Sequence, residues 1–281
     1  MKFKQKIAIR YIRTKFKILS SISKKKAAEK AFELFCTPQF RNKKDLPLAF
    51  EEAEKLHFKF QQFNIVGYRW NKGAGRKALI IHGFESSVIN FDKYVNPLIK
   101  KGYEVLAFDA PAHGRSSGKQ VNALIYRDFI KHVYITYGPI QSFMAHSFGG
   151  IAVSMALAEI KHDEQYRVVL IAPATETKTA IDIFFQFLRL DDSVVRKEFE
   201  EIITRMSGHP ISWYSIARAV KKIKAKILWL HDEDDKITPL KDVFVTKEEN
   251  YPNIQFIITK GLGHRRIYRD AKVSKAIIDF L

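Results

Sequence analysis

Apolar residues recur at helical spacing at the start of the chain. Phe3, Ile7, Tyr11, Ile18 and Ile22 fall along one side of a predicted helix, and further apolar residues lie off that stripe. From about residue 57 the pattern changes to short β-rich runs over 57–63, 65–70 and 78–81. Beyond them, 104–108, 141–145, 167–171, 226–230 and 254–258 read as strands, and 122–137, 148–160 and 267–280 as helices. Such alternation predicts an α/β fold, in which parallel strands are joined by crossover helices. The stretch between the strands at 167–171 and 226–230 is far longer than the usual loop of about two to six residues, and reads as helices. It is therefore expected to be an inserted cap. The organisation is a helical N-terminal segment (1–56), a core in two parts (57–174 and 223–281) and a small helical cap (175–222), with no internal repeat.

Charge changes this picture at one end. The formal net charge is +18, and the first thirty residues hold eleven Lys and Arg against one acid, Glu29. No zinc-ligand spacing, helix-turn-helix signature or aromatic RNA-binding motif accompanies them, so a nucleic-acid partner is not expected. Two expectations stand for this segment. Residues 1–24 make peripheral contact with an anionic membrane, or the helix packs its stripe on the main domain. Lys and Arg recur through Lys17, which argues against a cleaved signal peptide. The uncharged stretch 133–158 is interrupted by Gly138, Pro139, His146, Ser147, Gly149 and Gly150, and reads as strand, turn and helix rather than a membrane span. Cys36 is the only cysteine, so the fold is independent of disulfides. A cytoplasmic location is expected, with the inner membrane surface as its peripheral variant.

The strongest chemical signal is Met144-Ala145-His146-Ser147-Phe148-Gly149-Gly150, placed between a predicted strand and a predicted helix. Small residues two before and two after the serine let strand and helix approach closely, so a sharp turn projects the hydroxyl. A serine hydroxyl needs a base to accept its proton. Where the chain order is serine, acid, histidine, the base follows the acid, and His264 alone lies beyond the acidic run 232–235. It sits in Gly261-Leu262-Gly263-His264, just past a predicted strand. The acid is drawn from Asp232, Glu233, Asp234 and Asp235, most of which must be solvated turn residues. Glu176, after the strand at 167–171, is a more distant alternative.

From about Leu79 to the C-terminus the chain resembles an α/β-hydrolase with a small helical cap. It is similar to the group containing monoacylglycerol lipases, serine aminopeptidase-like hydrolases and bacterial esterases. His82-Gly83 resembles that family's oxyanion loop, which implies that the amides of Phe84 and Phe148 receive an oxyanion. The stretch from Phe108 to Ser116 resembles its Asp-x-x-Gly-His-Gly-x-Ser loop, with Ala112 in place of a glycine. In His231-x-x-x-Asp235-x-x-x-Pro239, Asp235 aligns with the triad acid, although Asp232 replaces a common glycine. The resemblance implies a serine hydrolase acting on an acyl ester or thioester, with Ser147 as nucleophile, His264 as base and Asp235 as acid. Amide hydrolysis or acyl transfer would use the same residues. A serine at the elbow argues against the related dehalogenases and epoxide hydrolases, which use aspartate there.

Neither a cofactor nor a metal is implied. His82 and His113 are expected to be structural hydrogen-bonders, and Phe184 and Phe187 in the cap to line an acyl pocket. The competing classes are a catalytically idle protein of the same fold that binds a small ligand, and a membrane- or nucleic-acid-associated protein in which the hydrolase domain is secondary.

Overall fold

The computed structural model describes residues 3–42 and 44–281, with side chains of the first helix from residue 7 onward. In chain order the elements are α1 (Phe3–Ile22), α2 (Lys24–Phe35), β1 (Glu54–Phe60), β2 (Phe63–Trp70), β3 (Arg76–Ile81), α3 (Asp92–Lys100), β4 (Tyr103–Phe108), α4 (Ala123–Tyr137), β5 (Ser142–His146) and α5 (Phe148–Leu157). They continue with β6 (Arg167–Ile171), α6 (Thr177–Leu188), α7 (Ser193–Ser207), α8 (Ile216–Val220), β7 (Lys226–Asp232), α9 (Lys241–Glu248), β8 (Ile254–Thr259), α10 (Gly263–Arg266) and α11 (Ala271–Phe280).

Two compact units result. One is Pro38–Thr175 with Ser215–Leu281. Its eight strands form one sheet in the order β1-β2-β4-β3-β5-β6-β7-β8. β1 and β2 pair antiparallel, as do β2 and β4, and the pairs from β4 through to β8 are parallel. This is the mostly parallel, helix-flanked sheet that the strand and helix periodicity predicts. β4 and β5 are buried along their whole length, as strands covered on both faces must be. Tyr68, Tyr94, Val105, Met144, Val169, Leu228 and Ile277 belong to one continuous core.

Among the boundaries that differ from the sequence reading, two have a direct physical cause. β1 begins and ends three residues early, because Gln61 and Gln62 form a two-residue turn between the paired Phe60 and Phe63, with Gln61 at φ +50°. Glutamine there gives none of the glycine or asparagine signal that marks such turns. The last helix begins at Ala271 instead of 267, since the Asp270 carboxylate caps it, accepting from the amides of Lys272 and Val273 at 2.9 and 3.0 Å.

The other unit joins the residues up to Thr37 with Glu176–Tyr214, so the N-terminal helices pack with the inserted helices. Ala27, Ala28 and Ala31 on α2 are fully buried and let α7 come close. Phe199 of α7 meets Phe32, Phe35 and Phe185 edge-on, with centroids 5.3 to 5.7 Å apart. Arg13 ties α1 to α6, its Nε donating to the Phe187 carbonyl at 2.8 Å. The face of α1 turned inward carries Ile9, Ile12, Phe16 and Leu19, of which Phe16 is buried and the others half-buried. The predicted stripe is not the packed one: Ile7, Tyr11, Ile18 and Ile22 are exposed, and the Phe3 side chain lies outside the described residues.

Candidate active site

Ser147 stands at the carboxyl end of β5, between that strand and α5, and its backbone is held at φ +53°, ψ −122°. This is a strained conformation for a residue with a Cβ, and local packing fixes it. The Ser147 amide donates to the Ile171 carbonyl at 3.1 Å, and its carbonyl accepts from the amides of Gly150 and Ala174 at 2.8 and 3.0 Å. A Cβ on Gly149 would lie 2.6 Å from the His82 carbonyl oxygen, and one on Gly150 2.5 Å from Pro173 Cβ. Both glycines are thus required for α5 to start where it does, and the turn between β5 and α5 projects the hydroxyl.

The other ends of the parallel strands bring the partners. Asp235 follows β7, and His264 lies four residues beyond Lys260, which follows β8. His264 occupies the short helical turn α10 rather than an open loop. Its Nδ1–H donates to Asp235 Oδ2 at 2.8 Å, and its Nε2 lies 2.9 Å from Ser147 Oγ, ready to accept the hydroxyl proton. A carboxylate at Nδ1 fixes that tautomer. The Asp235 carboxylate is buried, which raises its pKa, but the bond and charge of His264 and the amides of Thr238 and Ile237 outweigh burial and hold it below the usual carboxylate range. Asp234 is exposed and instead accepts from the Gly261 amide at 2.9 Å. Glu176 lies in the helical unit, at the start of α6.

Three further residues hold this arrangement, and sequence reasoning gave none of them a supporting role. The Thr238 hydroxyl donates to Asp235 Oδ2 at 2.8 Å and lies 3.1 Å from His264 Nδ1. Asp232 is fully buried and accepts from the amides of Asp234, Leu262 and Gly263 and from the Thr259 hydroxyl at 2.7 to 3.0 Å. It thereby ties the loop after β7 to the loop that carries His264; an acid standing where the resembled motif has glycine was the available signal. His146 Nε2 donates to the His264 carbonyl at 3.0 Å.

The loop that follows β3 is braced in the same way. Gly83 is so close to Ser147 that an added Cβ would lie 2.8 Å from Ser147 Cβ, which puts the following residue, Phe84, beside the serine. The rings of Phe84 and Phe148 meet edge-on at 5.7 Å. Phe148 opens α5, and first-turn amides have no partner within their own helix. His82 Nδ1 donates to the Gly83 carbonyl at 2.7 Å while its Nε2 accepts from the Ala110 amide at 3.0 Å. His113 Nδ1 donates to Pro111 and its Nε2 accepts from the Glu85 amide, both at 3.0 Å. Ala112, the departure from glycine, takes φ +65°, a left-handed conformation that costs about 1–2 kcal/mol for a residue with a Cβ. Phe184 and Phe187 lie in the helical unit. Phe184 packs against Phe35 at 5.2 Å, while the Phe187 ring is partly exposed beneath the Arg13 guanidinium.

The buried histidines make the site acid-sensitive. Burial pushes His82 down to about 4, and burial with the charge of a neighbouring histidine pushes His113 and His146 down to about 3, from an ordinary value of 6.5. Between those values the unfolded chain binds more protons than the folded one, so stability falls as pH falls through the window. At pH 5 the loss is about 2 kcal/mol for each residue, together comparable to the whole stability of an ordinary domain. Urea midpoints measured at pH 7 and pH 5 should therefore differ sharply. Equal midpoints would mean that these imidazoles are not held neutral.

Comparisons with known proteins bear on the family and the fold. A family model described as serine aminopeptidase, S33, matches residues 74–210. The chain is 32% identical over 259 residues to the uncharacterized hydrolase YugF of Bacillus subtilis (strain 168), covering 77% of this chain and 94% of that one. It is 24% identical over 258 residues to a 2-hydroxy-6-oxononadienedioate/2-hydroxy-6-oxononatrienedioate hydrolase of Cupriavidus pinatubonensis, covering 74% and 88%. Among solved structures, the esterase Pf2001 of Pyrococcus furiosus superposes with a TM-score of 0.66 at 19% identity, covering 87% of this chain and 98% of that one.

Proposed function

Because the chain belongs to the α/β-hydrolase superfamily, we propose that this hydrolase is a serine hydrolase that cleaves an acyl ester or thioester through an acyl-enzyme on Ser147. The observation that carries the reading is the unbroken relay from Ser147 Oγ to His264 Nε2 at 2.9 Å and from His264 Nδ1 to Asp235 at 2.8 Å. His264 takes the hydroxyl proton as Oγ attacks the acyl carbonyl, and the carbonyl oxygen becomes an oxyanion. The amides of Phe84 and Phe148 stabilise that charge, aided by the positive end of α5. Collapse expels the alcohol or thiol, which receives its proton from His264. Water, deprotonated by the same imidazole, then attacks the ester at Ser147, and a second collapse releases the carboxylic acid and restores the hydroxyl. Asp235 stays ionised throughout and stabilises the imidazolium.

Phe184 and Phe187 are assigned in this proposal to the acyl chain. The only cysteine, Cys36, is buried, and burial pushes its thiol up to about 12. That leaves the chain with no disulfide to form, which suits the cytoplasm.

A fluorophosphonate probe followed by peptide mass mapping tests the chemistry. The expected result is one modified peptide, carrying the phosphonyl group on Ser147. Loss of labelling after brief heat denaturation would show that the folded site activates the serine. No labelling of the folded protein, together with no turnover across acyl esters and thioesters of graded chain length, would sink the reading in favour of a ligand-binding protein. In the same ester series Phe187→Ala should alter the preferred acyl length.

A further inference from the structure

α1 carries two apolar faces, and only one of them is used within the helical unit. At about 100° per residue, Ile7, Tyr11, Ile18 and Ile22 occupy a strip roughly 60° wide, and they are 54%, 68%, 57% and 75% exposed. The inward residues Ile9, Ile12, Phe16 and Leu19 fall on the other side of the same helix. Exposed Lys15 borders the strip on one edge, and exposed Arg10 and Lys17 lie roughly 60–80° beyond the other. The twenty residues Phe3–Ile22 contain no acid. A helix that is merely solvated usually interleaves both signs of charge, which adds support at spacing i, i+4.

We propose that this outward face of α1 lies in the headgroup layer of an anionic lipid surface. Ile7, Ile18 and Ile22 would enter the acyl boundary, Tyr11 would sit at headgroup depth, and Arg10, Lys15 and Lys17 would meet the lipid phosphates. The chemistry selects this partner over two others. A nucleic acid would satisfy the cations but offers little to three isoleucines on one strip. A second copy of the chain would cover the isoleucines but would oppose two helices that carry only positive charge. The inference is independent of the chemistry at Ser147.

The test uses the full chain with vesicles of phosphatidylcholine alone or with about one-third phosphatidylglycerol. Ile18→Cys accepts an environment-sensitive fluorophore selectively, because Cys36 is buried. The chain should sediment with the anionic vesicles and not with the neutral ones, less so as salt is added, and the fluorophore should shift to the blue on binding. The double variant Tyr11→Ser/Ile18→Ser keeps every charge and alters only exposed positions, so its circular dichroism should be unchanged while its vesicle affinity falls about tenfold or more. Equal affinity of the double variant, or sedimentation without a spectral shift, would overturn the proposal, since binding would then come from net charge alone. So would absence of sedimentation, whether it accompanied tight binding to a DNA duplex or self-association that the serine substitutions abolish.

Discussion

Replacing Ser147 with alanine should lower turnover by about a millionfold and leave the fold unchanged. Among the described residues the hydroxyl has one partner, His264 Nε2, and it contributes nothing to the hydrogen bonds that hold the elbow, which run through the Ser147 amide and carbonyl. Alanine keeps the Cβ, so the backbone strain at φ +53° is neither relieved nor increased. Thermal midpoints of the two proteins should agree within about a degree, while hydrolysis of the best ester and phosphonate labelling both vanish. Near-native turnover in the alanine variant would remove Ser147 from the chemistry. A large drop in midpoint would mean instead that the hydroxyl is structural.

Asp235→Asn should cost about ten-thousandfold in turnover, and Asp234→Asn less than about tenfold. The contrast follows from what each carboxylate faces. Asp235 Oδ1 accepts from the amides of Ile237 and Thr238, and an asparagine oxygen can keep both bonds. Its amide nitrogen would then stand where Oδ2 receives protons from His264 Nδ1 and Thr238. Two donors cannot share that contact, so the imidazole shifts its proton to Nε2 and loses the lone pair that accepts from Ser147. Asp234 faces one backbone amide, Gly261, which an asparagine oxygen serves equally well. Kinetics on the best ester, with the two variants side by side, decide the matter. The reverse ranking would move the acid to Asp234.

Much of this site is legible in the residues because its logic is local. An elbow needs small side chains at fixed offsets from its serine, and positions 145 and 149 supply them within five residues. The order serine, acid, histidine leaves His264 by elimination. Strand and helix alternation, a periodic property of short windows, implied the parallel sheet whose carboxyl ends collect these residues. Composition and spacing did not choose between Asp234 and Asp235, which have the same chemistry in the same turn, and only the resemblance favoured one.

Tertiary structure alone decided which residues support the site and which face of α1 is free. Asp232 reads as a departure from glycine until the amides of Leu262 and Gly263, some thirty positions away, are brought to its oxygens. Thr238 and His146 likewise take their roles from contacts with His264 across distant loops. In α1 the sequence holds two apolar stripes, and each could pack equally well by periodicity. The choice fell to Ile9, Ile12, Phe16 and Leu19 as α1 joined α2 and α6. A period of 3.6 specifies that a helix has an apolar face, but the neighbour that covers it is settled by packing between segments far apart in the chain.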